Sequence, residues 1–254
     1  MLLVEAVKQV AVASFVLAVL LVRQSRGCQV MGFTGLTKYN DQKITLPIEP
    51  LQTFESVRDD LECAKECTSL VRCSMFAFNE QSLECSLFPA PAFKYNFFPL
   101  SAISSPGLRY YAVHTDWCPA RKGFFIDRES ELCYYQSQDK RTFNNSETAC
   151  QELSPGSRLL MLKETKYREA IARVMNSNIH LTMDHLFIGG LDLNTGDGIK
   201  TYHWIDGTEV VDPFWYPGEP SGDANNQFCL AYAVLKLHDM DCTNQNRYFC
   251  AIPK

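Results

Sequence analysis

The chain has no run of lysine and arginine, and its 24 basic residues are outnumbered by 29 acidic ones, leaving a net charge of -5. Nucleic-acid binding needs a basic patch or stripe, so that class is set aside. No Cys-x-x-Cys pair occurs, and the five histidines (114, 180, 185, 203, 238) are scattered, which excludes the usual spacing of zinc ligands. There is no Gly-x-Ser-x-Gly elbow, phosphate loop or His-Glu-x-x-His helix, so hydrolase and nucleotide chemistry has no starting motif. Acidic residues lie near one another at Glu129 and Glu131 and at Asp239 and Asp241, but nothing pairs them for acid–base work. An enzyme is not expected. An apolar run of the roughly 20 residues that span a bilayer is also missing.

What is present begins at the N-terminus. Val10 to Val22 is an uncharged apolar run of thirteen residues preceded by Lys8, and Ser25 and Gly27 stand at the -3 and -1 positions of a cut before Cys28. Residues 1–27 therefore read as a signal peptide. Arg23 and Arg26 follow the run, which puts basic charge on the wrong side for an anchor with its C-terminus outside. The expectation is a secreted, extracellular protein without stable membrane insertion. Eleven cysteines agree with that address, because disulfide frameworks form in oxidising compartments.

The cysteines fall into two even groups, Cys63, Cys67, Cys73 and Cys85, then Cys118, Cys133, Cys150, Cys229, Cys242 and Cys250. Each half is able to close its own bonds, and spacing alone leaves most pairings open. The division between two domains belongs near His114–Trp117. Cys28 is left over, as a free thiol or as the bridge of a disulfide-linked homodimer.

In the first half, Ser56 to Thr68 reads as a helix capped by Ser56, with Val57, Leu61 and Ala64 on one face. Cys63 and Cys67 are one turn apart and point the same way. Arg72 to Phe78 alternates as a strand does, and Glu84 to Phe88 reads as another. This C-x3-C-x5-C-x2-F-x-F-x6-C-x-L arrangement resembles the PAN/apple domain family, over residues 28–114. The resemblance implies a helix-on-sheet adhesion module without catalytic residues, with pairs Cys63–Cys85 and Cys67–Cys73.

The second half opens with an apparent hairpin closed by Cys118–Cys133, followed by helices over Ser146 to Leu153 and Thr165 to Met175, the latter burying Tyr167, Ile171 and Val174. Then come Phe187-Ile188-Gly189-Gly190, Trp204-Ile205-Asp206-Gly207, a Gly/Pro/Asn/Asp-rich stretch containing Gly218-Glu219-Pro220, and three closing cysteines. That order resembles the C-type lectin-like domain family over residues 117–254. The whole chain is thus expected to be α+β, a PAN/apple-like domain followed by a C-type lectin-like fold with two helices, antiparallel sheets and a long loop, stapled by disulfides. The resemblance implies Cys150–Cys250 and Cys229–Cys242. It also implies glycans or glycoproteins as partners, bound at the long loop.

Sugar-binding members of that family hold calcium under the long loop with a Glu-Pro-Asn triplet, a Glu two residues before a cysteine, and a Trp-Asn-Asp triplet. Carried over, Glu219 and Pro220 match, Ser221 replaces the Asn, Gln227 stands for the Glu, and His238 and Asp239 fill the last two positions. The implied calcium positions are Glu219, Gln227 and Asp239, in a weakened site. Calcium wants six to eight oxygens, preferably charged, and an imidazole nitrogen is a poor ligand for it. Asp223, Asn225, Asn226 and Asp241 are further oxygen sources nearby. Trp215 either stacks on a sugar ring or packs beneath the loop. His238 is either a pH-dependent contact or without a role. The carbohydrate-binding set is therefore Trp215, Glu219, Ser221, Gln227, His238 and Asp239. A protein-binding or matrix component on the same scaffold is the alternative reading. Asn144-Asn145-Ser146 is a glycosylation sequon at Asn144.

Overall fold

The computed structural model describes residues 5–7, 19–24, 27–44, 49–89, 102–176, 184–192, 201–211, 214–221 and 227–254. Most of the N-terminal apolar run, positions 25–26 of the expected cut, and Asp223, Asn225 and Asn226 lie outside the described residues. The chain divides into two compact units, Met1–Cys133 and Tyr134–Lys254.

The first unit contains β1 (Glu5–Val7), β2 (Val19–Gln24), β3 (Gly27–Gly35), β4 (Gln42–Ile44), β5 (Gln52–Phe54), α1 (Asp60–Ser69), β6 (Met75–Asn79), β7 (Glu84–Phe88), β8 (Ala102–Ser104), β9 (Leu108–Thr115) and β10 (Phe125–Asp127). Seven of these strands form one sheet in the order β1-β2-β3-β9-β6-β7-β5, and β4 and β8 form a two-stranded ribbon. In the intact chain the expected leader segment continues this sheet, because β2 pairs antiparallel with β3. The sheet's aromatic core is a ladder. Phe33 meets Phe76 edge-on at 5.2 Å, and Phe76 stacks on Tyr111 at 4.7 Å.

Helix α1 begins four residues later than the Ser56 cap expected from sequence. Ser56 sits in the left-handed region at φ 61°, and the cap is Asp59, whose carboxylate accepts the Glu62 N–H at 2.8 Å. A carboxylate at this position satisfies an orphan amide and complements the positive helix end. Val57 is buried ahead of the helix rather than on its face. Cys63 and Cys67 are both fully buried, bonded to Cys85 on β7 and to Cys73 in the turn before β6.

The other end of α1 carries no basic residue in its last turn. Arg128 supplies the missing charge from far along the chain. Its guanidinium donates to the carbonyls of Cys67 and Thr68 at 2.9 Å, of Leu70 at 3.1 Å and of Cys73 at 3.3 Å. The planar five-donor group suits a cluster of orphan carbonyls, and a cation is favoured at a helix C-terminus. Arg128 follows β10 inside the loop closed by Cys118–Cys133, whose Cα atoms are 5.5 Å apart.

The chain crosses from one unit to the next within β11 (Leu132–Gln136). The second unit continues with α2 (Phe143–Leu153), β12 (Arg158–Leu159), α3 (Thr165–Asn176), β13 (Leu186–Asp192), β14 (Tyr202–Trp204), β15 (Gln227–Ala233), β16 (Lys236–Asp241) and β17 (Arg247–Ile252). Its sheet runs β11-β17-β13-β15-β16, with β12 beside β17 and β14 beside β13. Strand β13 pairs parallel with β17 and antiparallel with β15. Helix α2 starts at Phe143, three residues before the expected Ser146, and the Phe143 ring meets Phe187 edge-on at 5.6 Å. Asn144 is exposed in its first turn, whereas Ser146 of the sequon is buried.

The two glycines of Phe187-Ile188-Gly189-Gly190 are there for space. A Cβ on Gly189 would stand 2.7 Å from the Leu159 carbonyl oxygen, and one on Gly190 would stand 2.4 Å from Leu230 Cδ1. Trp204-Ile205-Asp206-Gly207 is a turn. Gly207 has φ 86°, and the Asp206 carboxylate accepts from the Thr208 N–H and hydroxyl at 3.1 and 2.7 Å. Cys150–Cys250 ties α2 to β17 across 100 residues, a loop closure worth up to about 4.7 kcal/mol in the chain-entropy model. Cys229–Cys242 fastens β15 to the residue after β16.

Arg128 is the most exposed test of this arrangement. Arg128→Ala leaves the carbonyls of Cys67, Thr68, Leu70 and Cys73 without their cation and costs about 2 kcal/mol. Hydrogen exchange on the full chain is expected to accelerate at the end of α1 and in the Cys67–Cys73 turn. Arg128→Lys recovers only part of the protection, because a point-like ammonium cannot fork to four acceptors. Unchanged exchange in Arg128→Ala would refute the capping role.

Candidate ligand-binding site

The site is built on the β15–β16 hairpin. Its register pairs Leu230 with Asp239 and Ala231 with His238, and a two-residue turn at Val234-Leu235, both at positive φ, closes it. The segment 214–221 lies along the outer strand. The Leu237 N–H donates to the Phe214 carbonyl at 3.2 Å, and the Tyr216 N–H donates to the Leu237 carbonyl at 2.9 Å. A turn then brings the chain back, with the Glu219 N–H on the Tyr216 carbonyl at 2.9 Å and Gly218 at φ 93°. The Glu219–Pro220 peptide is cis.

This path delivers Glu219 and Ser221 to His238 and Asp239. The Ser221 N–H donates both to Glu219 Oε2 at 2.9 Å and to Asp239 Oδ1 at 3.0 Å. The Ser221 hydroxyl donates to Asp239 Oδ1 at 3.2 Å. From β14, the Tyr202 hydroxyl donates to Asp239 Oδ2 at 3.1 Å. Asp239 is completely buried, at 0% exposure, and a buried carboxylate is tolerated only with such donors. His238 Nδ1 stands 3.7 Å from Glu219 Oε1.

Of the residues expected from sequence, Glu219, Ser221, His238 and Asp239 are brought together. The backbone of Gln227 opens β15 opposite Asp241, and its side chain lies outside the described residues. Trp215 packs beneath, half-buried and edge-on to Tyr202 at 5.0 Å. The outward ring is its neighbour. Tyr216 is 41% exposed and stacks on the His238 imidazole at 4.8 Å with 24° between planes. His185 meets the same imidazole edge-on at 4.8 Å. Asp241 stays out of the cluster, its carboxylate taken by the Thr243 N–H and hydroxyl at 2.8 and 2.7 Å. The sequence reading missed Tyr202 and His185 because neither lies in a motif. The available signal for Tyr202 was its position two before Trp204, which puts both on one face of a strand.

The electrostatics follow from burial and crowding of like charge. Burial pushes the Glu219 carboxyl up to about 7, and its hydrogen bond and proximity to Asp239 push in the same direction. Burial and the Asp239 carboxylate hold the Tyr202 hydroxyl well above its ordinary value. Burial, and then His185, depress His238; burial depresses His185.

These shifts have opposite pH signatures. Glu219 has a folded pKa raised above its unfolded value, so its contribution is full below about 4.5 and is lost as pH rises through about 7. The histidines are depressed, so their contribution is present above about 6.5 and is lost as pH falls. Comparing native chain with Glu219→Gln isolates the carboxyl. The 214–221 backbone of the native chain is expected to lose protection relative to Glu219→Gln between pH 5 and pH 8, as read by hydrogen exchange. Parallel pH profiles for the two proteins would contradict a raised Glu219 carboxyl.

Comparison with known proteins gives two family matches, the Lectin C-type domain over residues 139–252 and the PAN domain over residues 37–112. The chain is 27% identical over 139 residues to C-type lectin domain family 4 member M of Gorilla gorilla gorilla, covering 54% of this chain and 33% of that protein. It is 26% identical over 138 residues to the C-type lectin lectoxin-Phi1 of Philodryas olfersii, covering 52% of this chain and 82% of that one. The chain thus spans about a third of the length of the gorilla protein. Among solved structures, the mouse scavenger receptor C-type lectin carbohydrate-recognition domain matches with 21% identity and a TM-score of 0.39, covering 47% of this chain and 87% of that one. Human lithostathine matches with 21% identity and a TM-score of 0.40, covering 48% and 92%. The chain therefore carries a C-type lectin domain over residues 139–252, preceded by a PAN domain over residues 37–112.

Proposed function

We propose that this protein is a secreted glycan-recognition protein that binds sugars or glycoproteins, without catalysis, through the face formed by segment 214–221 and β16. The observation that carries the reading is the convergence of Glu219, Ser221, His238 and Asp239 beside the exposed Tyr216 ring. An aromatic ring backed by an imidazole offers a flat platform for the C–H face of a sugar, and the neighbouring carboxyl and imidazole groups are matched to its hydroxyls. Tyr216, rather than Trp215, takes the stacking role in this reading.

The rest of the expected biology belongs to the same proposal. Residues 1–27 are the leader, the PAN-containing unit begins at residue 28 and the lectin-like region at residue 117, and Asn144 carries glycan. No helix among the described residues is long and apolar enough to cross a membrane. Cys28 links two copies through a disulfide; a monomer on both reducing and non-reducing gels removes that part.

C-type lectin domains often bind calcium. The donor set among the described residues does not fit that ion. Among the described residues, two carboxylates, one serine whose amide and hydroxyl donate to them, and an imidazole fall short of six to eight oxygens. The same observation supports a second reading, a protein-binding or matrix component, because both Asp239 oxygens already accept hydrogen bonds from within the chain. A glycan array probed with the full chain separates the two. Binding is expected, and Tyr216→Ala weakens it roughly three- to tenfold, the range for loss of a stacking contact. Absence of any glycan binding, in calcium and in chelator alike, sinks the glycan reading in favour of a protein ligand.

A further inference from the structure

The place between Glu219 and Asp239 is where two carboxylates of the candidate site approach each other, and like charges in such a site need a cation or donors between them. Here one backbone amide donates to both. The Ser221 N–H reaches Glu219 Oε2 at 2.9 Å and Asp239 Oδ1 at 3.0 Å, so the positive end of a peptide dipole points at both groups. A divalent cation bridging the same two oxygens would require that amide to leave. The Ser221 hydroxyl adds a second donor to Asp239 Oδ1 at 3.2 Å, and the Tyr202 hydroxyl fills Asp239 Oδ2 at 3.1 Å.

Three donors on one fully buried carboxylate connect three separate pieces of chain: β16 through Asp239, β14 through Tyr202, and the returning arm of the long loop through Ser221. Tyr202 also supports the loop from below through its edge contact with Trp215. Among the described residues, the rest of the cluster adds few oxygens for a metal. His238 presents nitrogen, and Oδ1 of Asp241 is taken by the Thr243 turn. Among the described residues, no group of three or more His, Cys, Asp and Glu side chains is disposed to hold a metal ion.

We infer that Ser221 and Tyr202, by hydrogen bonding to Asp239, fix the long loop of this chain in place of a divalent cation. The ligand-binding face is therefore formed and retained without calcium. This inference rests on the proposed site for its location, but not on what the site binds.

The test is made on the full chain alone, with no glycan added, so that failure of the glycan reading leaves it untouched. Hydrogen exchange across 214–221 and thermal melting are measured in millimolar calcium and in EDTA. Protection and Tm are expected to be the same in both. Ser221→Ala and Tyr202→Phe, measured separately, are each expected to speed exchange of the segment by about tenfold in both buffers. Ser221→Thr, which keeps the hydroxyl, is expected to retain protection. A saturable rise in Tm or in protection with calcium, reversed by EDTA, would overturn the inference. So would native exchange in both Ser221→Ala and Tyr202→Phe.

Discussion

The arrangement of the candidate site depends on one buried carboxylate. Asp239 has no exposed surface, and an unpaired charge in that position would cost several kcal/mol. The chain meets the cost with neutral donors from two directions, the Tyr202 hydroxyl and the Ser221 amide and hydroxyl. The donors come from two different segments, so satisfying the carboxylate also fixes where those segments run. The loop that carries Glu219 and Tyr216 is positioned as a consequence.

That constraint works only because the strand bearing Asp239 is itself immobile. Strand β16 pairs along its length with β15, and Cys229–Cys242 fastens the two beside the site. Further back, Cys150–Cys250 closes the unit by joining α2 to β17. The glycines of β13 let Leu159 and Leu230 approach that strand closely. A loop with little regular structure can then present a defined surface, because its scaffold is rigid and its attachment is specific. The first unit uses a comparable device in a different place, where Arg128 gathers four carbonyls at the end of α1.

Much of this was legible in the sequence, for physical reasons that differ by residue. Cys63 and Cys67 one turn apart announced a helix stapled to a sheet, and the W-x-D-G and Gly-Gly patterns announced tight turns and close packing. Local rules misplaced the start of α1, because Ser56 and Asp59 are both acceptable caps and only the left-handed backbone at Ser56 decides between them. Arg128 gave no local signal, since its partners lie 55–61 residues away. Ser221 was legible as a departure from a calcium-binding triplet. Its role as a donor to Asp239 was not, because that depends on the path of the loop. Trp215 and Tyr216 are adjacent and chemically alike as platforms, and alternation along the outer edge of β16 determines which of them faces out.

On this reading, donors from within the chain rather than a metal ion hold Glu219 and Asp239 together. A crystal structure of the full chain grown in millimolar calcium tests it most directly. The expected result is the Ser221 amide within hydrogen-bond distance of both carboxylates, the Tyr202 hydroxyl on Asp239, and no ion between them. A cation coordinated jointly by Glu219 and Asp239, with the Ser221 amide turned away, would contradict it.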